Sequence, residues 1–194
     1  MTVTKPVQLV FLLEEPSMKN TLQEIIPRIV DLDVPPLYLA FEGKHDLELN
    51  FPRKLQGWQS PPDREIRFVI VRDNDGHPRC MKLKNRLKDL CITNGHPQAL
   101  VRLVCQELES WFLGDLEAVG KAFDNKKLSG LQRQVKFRNP DQLTKPSKEL
   151  LRLVPDYQKF GSSRTIAQHM DPARNRSKSF EMFVAGIRTL VNAT

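Results

Sequence analysis

Four short apolar runs, all within the first 105 residues, restrict what this chain can fold into more than any other feature. Val7–Leu13 is near-continuous and apolar over the length of a strand, and similar runs follow at 37–41, 66–71 and 100–105. Runs without polar alternation belong to strands covered on both faces. The third is especially rich in β-branched residues, which suit a pleated surface. Between the runs, Leu22, Ile25, Ile26, Ile29 and Val30 recur at helical spacing, with Pro27 expected to disturb that helix. Cys80, Leu83, Leu87, Leu90 and Cys91 do the same until Asn94-Gly95 stops them. Strands alternating with helices need parallel crossovers, so the pattern predicts an α/β fold. Its central sheet is mostly parallel, with helices on both faces.

After residue 120 the β signal ends. Helices are expected at 147–154, 163–169 and 180–191, the last with a core-facing stripe of Phe180, Phe183, Val184, Ile187, Leu190 and Val191. The expected organisation is an α/β core over 1–120 with a basic, mainly helical C-terminal extension over 121–194 packed on it. Charge supports that division. The net charge is +7, but residues 1–120 hold 15 Lys/Arg against 17 Asp/Glu, and residues 121–194 hold 15 against 6. A basic region beside an acidic one suits a phosphate backbone that lies on the first and reaches a metal held by the second. A solvated basic face, or one kept for an acidic partner, explains the same numbers.

Several classes are excluded. With 40% hydrophobic and 27% charged residues the chain has ordinary globular chemistry, not that of a disordered segment. No apolar run reaches bilayer length, and the N-terminus reads as a buried strand rather than a signal peptide. Cys80, Cys91 and Cys105, without a CxxC pair, fit buried thiols and a cytoplasmic location. His45, His77, His96 and His169 lack zinc spacing, and no GxxxxGK[ST] loop is present.

What remains is acidic. The first strand runs into Glu14-Glu15, the third into Asp73-Asn74-Asp75-Gly76, and the fourth into Glu107-Leu108-Glu109. In an open α/β sheet, ligands collect outside the carboxyl ends of the strands. Parallel neighbours would therefore bring these acids to one crevice. Asp73 and Asp75, two apart, point to the same side if the backbone stays extended. Crowded carboxylates repel and hold protons more tightly, and a divalent cation relieves the repulsion. An all-oxygen set selects Mg²⁺ or Mn²⁺. Lys44, after Gly43 beyond the second strand, would reach the same edge and neutralise a scissile phosphate. Each residue also has a plain structural explanation. Asp-x-Asp-Gly makes turns, Glu107 and Glu109 suit a helix start, and Trp111 suits the core.

The segments Leu13-Glu14-Glu15-Pro16-Ser17-Met18, Phe41-Glu42-Gly43-Lys44, Arg72-Asp73-Asn74-Asp75, the stretch from Glu107 to Asp115 around Trp111, and His169-Met170-Asp171-Pro172-Ala173-Arg174-Asn175-Arg176-Ser177 carry a resemblance. In this order they resemble a bacterial family known as domain of unknown function 4276, over nearly the whole chain. That family is similar to the Toprim fold of topoisomerases, primases and the nuclease half of overcoming-lysogenization-defect proteins. The resemblance implies a Toprim-like nuclease that hydrolyses phosphodiester bonds in DNA or RNA. Glu14, with Glu15 as the alternative, would be the first acid, which in such enzymes acts as metal ligand or general base. Asp73 and Asp75 would hold Mg²⁺ or Mn²⁺, and Glu109 or Glu107 would complete the shell. It further implies an ABC/AAA-type ATPase partner encoded nearby, in anti-phage defence. The alternative is a catalytically inactive nucleic-acid-binding or regulatory subunit of such a complex. Arg174, Arg176 and Lys178 suit phosphate oxygens, Asp115 is a further candidate acid, and His169 would shuttle protons or cap the structure. Asp171-Pro172 reads as a helix start. The chain departs from the Toprim pattern in having Glu15 and Met18 where a Gly and another acid usually stand.

Overall fold

The computed structural model describes residues 5–76 and 80–193; His77, one of the four histidines considered for zinc, lies outside them. Four strands, β1 (Val7–Leu13), β2 (Leu37–Ala40), β3 (Glu65–Asp73) and β4 (Leu100–Val104), form one sheet in the order β2-β1-β3-β4. Every pairing is parallel, with Leu13 opposite both Ala40 and Val71 and Asp73 opposite Val104. The crossovers are α1 (Pro16–Ile29), α2 (Lys44–Gln56) and α3 (Cys80–Thr93). The α/β architecture inferred from the apolar runs is therefore present, consistent with a Toprim-like arrangement.

Strand alternation divides the core in two. Leu9, Phe11, Leu13, Val69, Val71 and Val104 face α1, whereas Val10, Leu12, Phe68, Ile70 and Val101 face α2 and α3. Each side chain named here is at most 3% exposed, so truncating any of the leucines costs about 2–5 kcal/mol. Because α1 covers one face and α3 the other, the connections leaving β1 and β3 diverge at the carboxyl ends of those strands. A crevice opens at such a point.

Pro27 falls in the last turn of α1, which ends two residues later, so the expected disturbance is a termination. The helix α2 was not expected, because Pro52 interrupts its pattern. Leu47, Phe51 and Leu55 nonetheless form a buried stripe at four-residue spacing. Gly43, at φ 100°, turns the chain from β2 into α2 and donates its N–H to the Glu14 carbonyl at 2.9 Å.

The remainder is helical: α4 (Glu109–Leu113), α5 (Leu116–Ala122), α6 (Lys127–Leu131), α7 (Pro146–Leu153), α8 (Lys159–His169) and α9 (Lys178–Asn192), with short 3₁₀ turns at Val135–Phe137 and Pro140–Gln142. These helices share one hydrophobic cluster with β1, β3 and α1, through Ile166, Phe180, Phe183 and Ile187 among others. Helix α8 is tied to α1 at three points. Arg28 donates to the carbonyls of Ala167 and Met170, Asn20 Nδ2 donates to the Phe160 carbonyl at 2.9 Å, and Arg164 pairs with Glu24 at 2.8 Å. This docking fixes where the start of α8 lies relative to the carboxyl edge of the sheet. Among the described residues no helix is long and apolar enough to cross a membrane. Cys91 is buried, and burial pushes its thiol up to about 11, but Cys80 is exposed at the start of α3, against the expectation of buried thiols.

Candidate functional site

Glu14 leaves β1 directly opposite the end of β3. Its backbone N–H donates to the Val71 carbonyl at 3.1 Å, and its Oε2 accepts the backbone N–H of Asp73 at 3.0 Å. Both carboxylates are buried, with Asp73 3% exposed. Burial is the largest influence on each. It lifts Glu14 from 4.5 to about 7, with Asp75 and Glu15 adding repulsion and the Asp73 amide and Arg72 opposing it. Burial together with the charges of Glu14, Glu15 and Glu109 lifts Asp73 well above the carboxylate range. Glu109, in the first turn of α4, is fully buried and likewise raised by burial. Acids from β1, β3 and the segment after β4 thus act on one another across the crevice.

Two side chains from the C-terminal region, neither anticipated, complete this cluster. Tyr157 donates its hydroxyl to Glu109 Oε1 at 2.8 Å, and Lys159, at the start of α8, pairs with Glu15 Oε2 at 2.7 Å. Burial works against the Lys159 charge, but the hydrogen bond to Glu15 and the charges of Glu109, Glu15 and Asp73 outweigh it and raise the ammonium's affinity for its proton. Asp73 Oδ1 and Glu109 Oε2 remain buried with no hydrogen-bond partner among the described residues. Neither newcomer had a sequence signal, since Lys159 is one of many lysines in a basic stretch and meets the acids only because α8 docks on α1.

Asp75 behaves differently from the expectation. Asp73 ends β3 on the α1 face, but the chain departs from extended geometry at Asp75, where φ is 51°. The two carboxylates therefore do not project together as an extended backbone would require. Asp75 is half exposed, and its Oδ2 pairs with Lys44 Nζ at 2.9 Å. Arg72, opposite in alternation to Asp73, contacts Glu48 and lies 3.7 Å from Glu14 and 3.9 Å from Asp75. Glu48 also pairs with Arg86 at 2.5 Å. The edge therefore has two sides joined by Glu14. One holds Asp73, Glu109, Glu15 and Lys159, and the other holds Asp75, Lys44, Arg72 and Glu48. Arg72 was legible in principle, because a buried strand ending in Arg-Asp must place the two on opposite faces.

Other expected site residues have architectural partners. Glu107 Oε2 accepts the Ser147 N–H at 2.7 Å in the first turn of α7. Asp115 caps α5 through the Ala118 N–H and takes both Nε and Nη2 of Arg174, at 2.8 and 2.9 Å. Arg174 also reaches Glu117 at 3.1 Å. Arg176 donates to the Gln132 carbonyl at 2.8 Å, Lys178 pairs with Glu181 at 2.7 Å, and the exposed His169 offers its carbonyl to Arg174 at 3.4 Å. Asp171-Pro172 begins a turn rather than a helix, since Asp171 Oδ1 accepts the Ala173 N–H at 2.9 Å. Asn175 Nδ2 donates to the Trp111 carbonyl at 2.7 Å, the Arg176 N–H donates to the Gly114 carbonyl, and Trp111 is buried on Phe180 and Phe183. The 107–115 and 169–177 segments thus clasp each other.

The donor chemistry at the edge is all oxygen. Among the described residues no three His, Cys, Asp or Glu side chains form a ready-made ligand group. The unpartnered oxygens of Asp73 and Glu109 fit a smaller demand, that of an ion such as Mg²⁺, which keeps several waters and takes one or two carboxylates.

Fold and site together define an α/β protein whose all-parallel sheet carries a buried acidic cluster at its carboxyl edge. A family profile, Domain of unknown function (DUF4276), matches residues 13–188, and the chain belongs to that family. Comparison with curated proteins and with solved structures gave no match.

Proposed function

We propose that the chain is a Mg²⁺- or Mn²⁺-dependent nuclease-type effector that hydrolyses phosphodiester bonds in DNA or RNA. The observation that supports this is the convergence of Glu14, Asp73 and Glu109 at the β1/β3 crevice, with carboxylate oxygens buried and unpartnered. Burying Glu14, Asp73 and Glu109 with only Lys159 and Arg72 as nearby cations is costly, and active sites are where such costs concentrate. Asp73 and Glu109 would hold the ion, with Glu14 beside them. A bound divalent cation supplies an activated water and electrostatic stabilisation of a phosphoryl oxygen. Glu14, with its proton affinity near neutrality, is suited to hold or release a proton at Oε1. Lys44 and Lys159 flank the crevice with charges that suit a phosphate. An ABC/AAA-type ATPase partner, a role in anti-phage defence and a cytoplasmic location belong to the same proposal.

One observation favours a second reading, a catalytically inactive nucleic-acid-binding or regulatory subunit. Tyr157 and Lys159 already occupy Glu109 and Glu15, as they would in a purely structural network. Incubation of the pure protein with single-stranded DNA, plasmid and tRNA in Mn²⁺ or Mg²⁺, with and without the candidate ATPase, separates the two. Cleavage that disappears in Asp73→Asn and Glu14→Gln supports the nuclease. Cleavage that survives both variants, or no cleavage under any condition, favours the inactive subunit.

A further inference from the structure

A groove of about 1070 Å³ lies beside the carboxylates rather than on them. It runs along the free edge of β2, between α1 and α2. Tyr38, Leu39, Ala40 and Phe41 form its floor, and Pro16 and Phe160 stand at the end next to the acidic crevice. Those two residues directly follow Glu15 and Lys159, the ion pair at the crevice, so groove and crevice are continuous along the chain. The other sheet edge, β4, is covered by α9, where Ser179 Oγ accepts the Cys105 N–H and Arg102 donates to the Met182 carbonyl.

Charge along the groove has one dominant sign. Lys19, Arg53 and Lys54 line it, and none has an ion-pair partner among the described residues. The single acid lining it, Asp46, accepts the Glu42 N–H and the Asn50 amide and is committed to the start of α2. Phe160 is 63% exposed, although its carbonyl is anchored by Asn20. An exposed phenyl ring on a fixed backbone, beside three unpaired cations, is the combination that stacks a base and tracks a phosphate chain. By contrast Arg174, Arg176 and Lys178, the basic residues first expected to do this, all have partners within the protein.

We propose that this groove binds a single-stranded nucleic acid, with phosphates on Lys19, Arg53 and Lys54 and an unpaired base on Phe160, and feeds it toward the crevice. This names the substrate class of the nuclease reading and rests on that reading only for the direction of travel. The ligand is a polyanion with exposed base faces, which sets it apart from an acidic peptide. Duplex nucleic acid, whose base faces are stacked inside, is disfavoured.

Fluorescence anisotropy in EDTA tests the groove without cleavage, using labelled single-stranded DNA, its RNA counterpart, the matching duplex and poly-glutamate. The expected order is tight binding of the single strands, DNA or RNA, over duplex and poly-glutamate. Phe160→Ala should weaken single-strand binding about 5- to 100-fold. The double variant Arg53→Gln/Lys54→Gln should lower the slope of log K against log salt by about 1.4, as expected for two lost phosphate contacts. All three positions are exposed or at the surface, and circular dichroism confirms that the variants fold. Equal binding of poly-glutamate, or unchanged affinity in both groove variants, overturns the inference. If the groove variants lose binding while no cleavage is ever found, the groove stands and the nuclease reading fails. If cleavage is found and the groove variants bind and cleave normally, the reverse holds.

Discussion

Replacing Glu14 with Gln gives the crevice a thermodynamic readout that needs no substrate. In the folded protein Glu14 holds its proton up to about pH 7, against 4.5 for an ordinary glutamate. Between those values the folded state carries a proton that the unfolded state has released, so stability falls as pH rises from about 4.5 through 7 and then levels off. At about 1.36 kcal/mol per pH unit, Glu14 alone removes about 3 kcal/mol by pH 8. Asp73 and Glu109 are shifted in the same direction and act in the same sense. Gln keeps an oxygen to accept the Asp73 N–H and carries no charge to bury. It gives up the 3.7 Å pairing with Arg72, which retains Glu48. The net expectation is a variant about 2–3 kcal/mol more stable than wild type at pH 8 in EDTA, or about 4–12 °C in Tm. It should be equal to wild type at pH 4.5. Urea unfolding at half-unit pH steps measures this. A wild type whose stability rises between pH 5 and 8, or a Gln variant no more stable at pH 8, refutes the claim that the crevice confines repelling carboxylates.

Lys159→Met leaves Glu15, Asp73 and Glu109 without their nearby cation. In EDTA it should lose about 0.5–1 kcal/mol at pH 8 and less at pH 5, as seen by denaturant titration. Arg174→Ala strands the buried Asp115, so a loss of about 3 kcal/mol is expected. Arg174→Lys should rescue only part of this, because an ammonium cannot reproduce the two-point contact. Gly114→Ala puts a Cβ 2.2 Å from Asn175 Oδ1 and 3.0 Å from the Ser177 backbone nitrogen. It should pry apart the clasp between the 107–115 and 169–177 segments and cost about 1–3 kcal/mol in thermal unfolding.

Much of the fold was legible because periodicity is local. Strands β1 and β3 advertise themselves through unbroken apolar runs, and a mostly parallel sheet follows from their alternation with helices. Helix α2 was missed because Pro52 breaks a stripe that packing alone holds together. At the site, position along a strand was enough to bring Glu14, Asp73 and Glu109 to one edge, since parallel strands end on the same side. Asp75 shows the limit of that logic. A single residue at positive φ re-aimed it toward Lys44, and periodicity carries no trace of φ. The partners of the C-terminal charges are not legible for another reason. Composition counts Arg174 as free positive charge, whereas the tertiary structure pairs it with Asp115, 59 residues away. Tyr157 and Lys159 lay out of reach for the same reason, because only the docking of α8 on α1 carries them to the acids.

Isothermal titration of Mn²⁺ into metal-free protein at pH 8 bears most directly on the acidic crevice. The expected result is a saturable site that vanishes in Asp73→Asn, weakens in Glu109→Gln, tightens in Lys159→Met and raises the wild-type Tm. No heat of binding in the wild type, or an unchanged isotherm in Asp73→Asn, contradicts it.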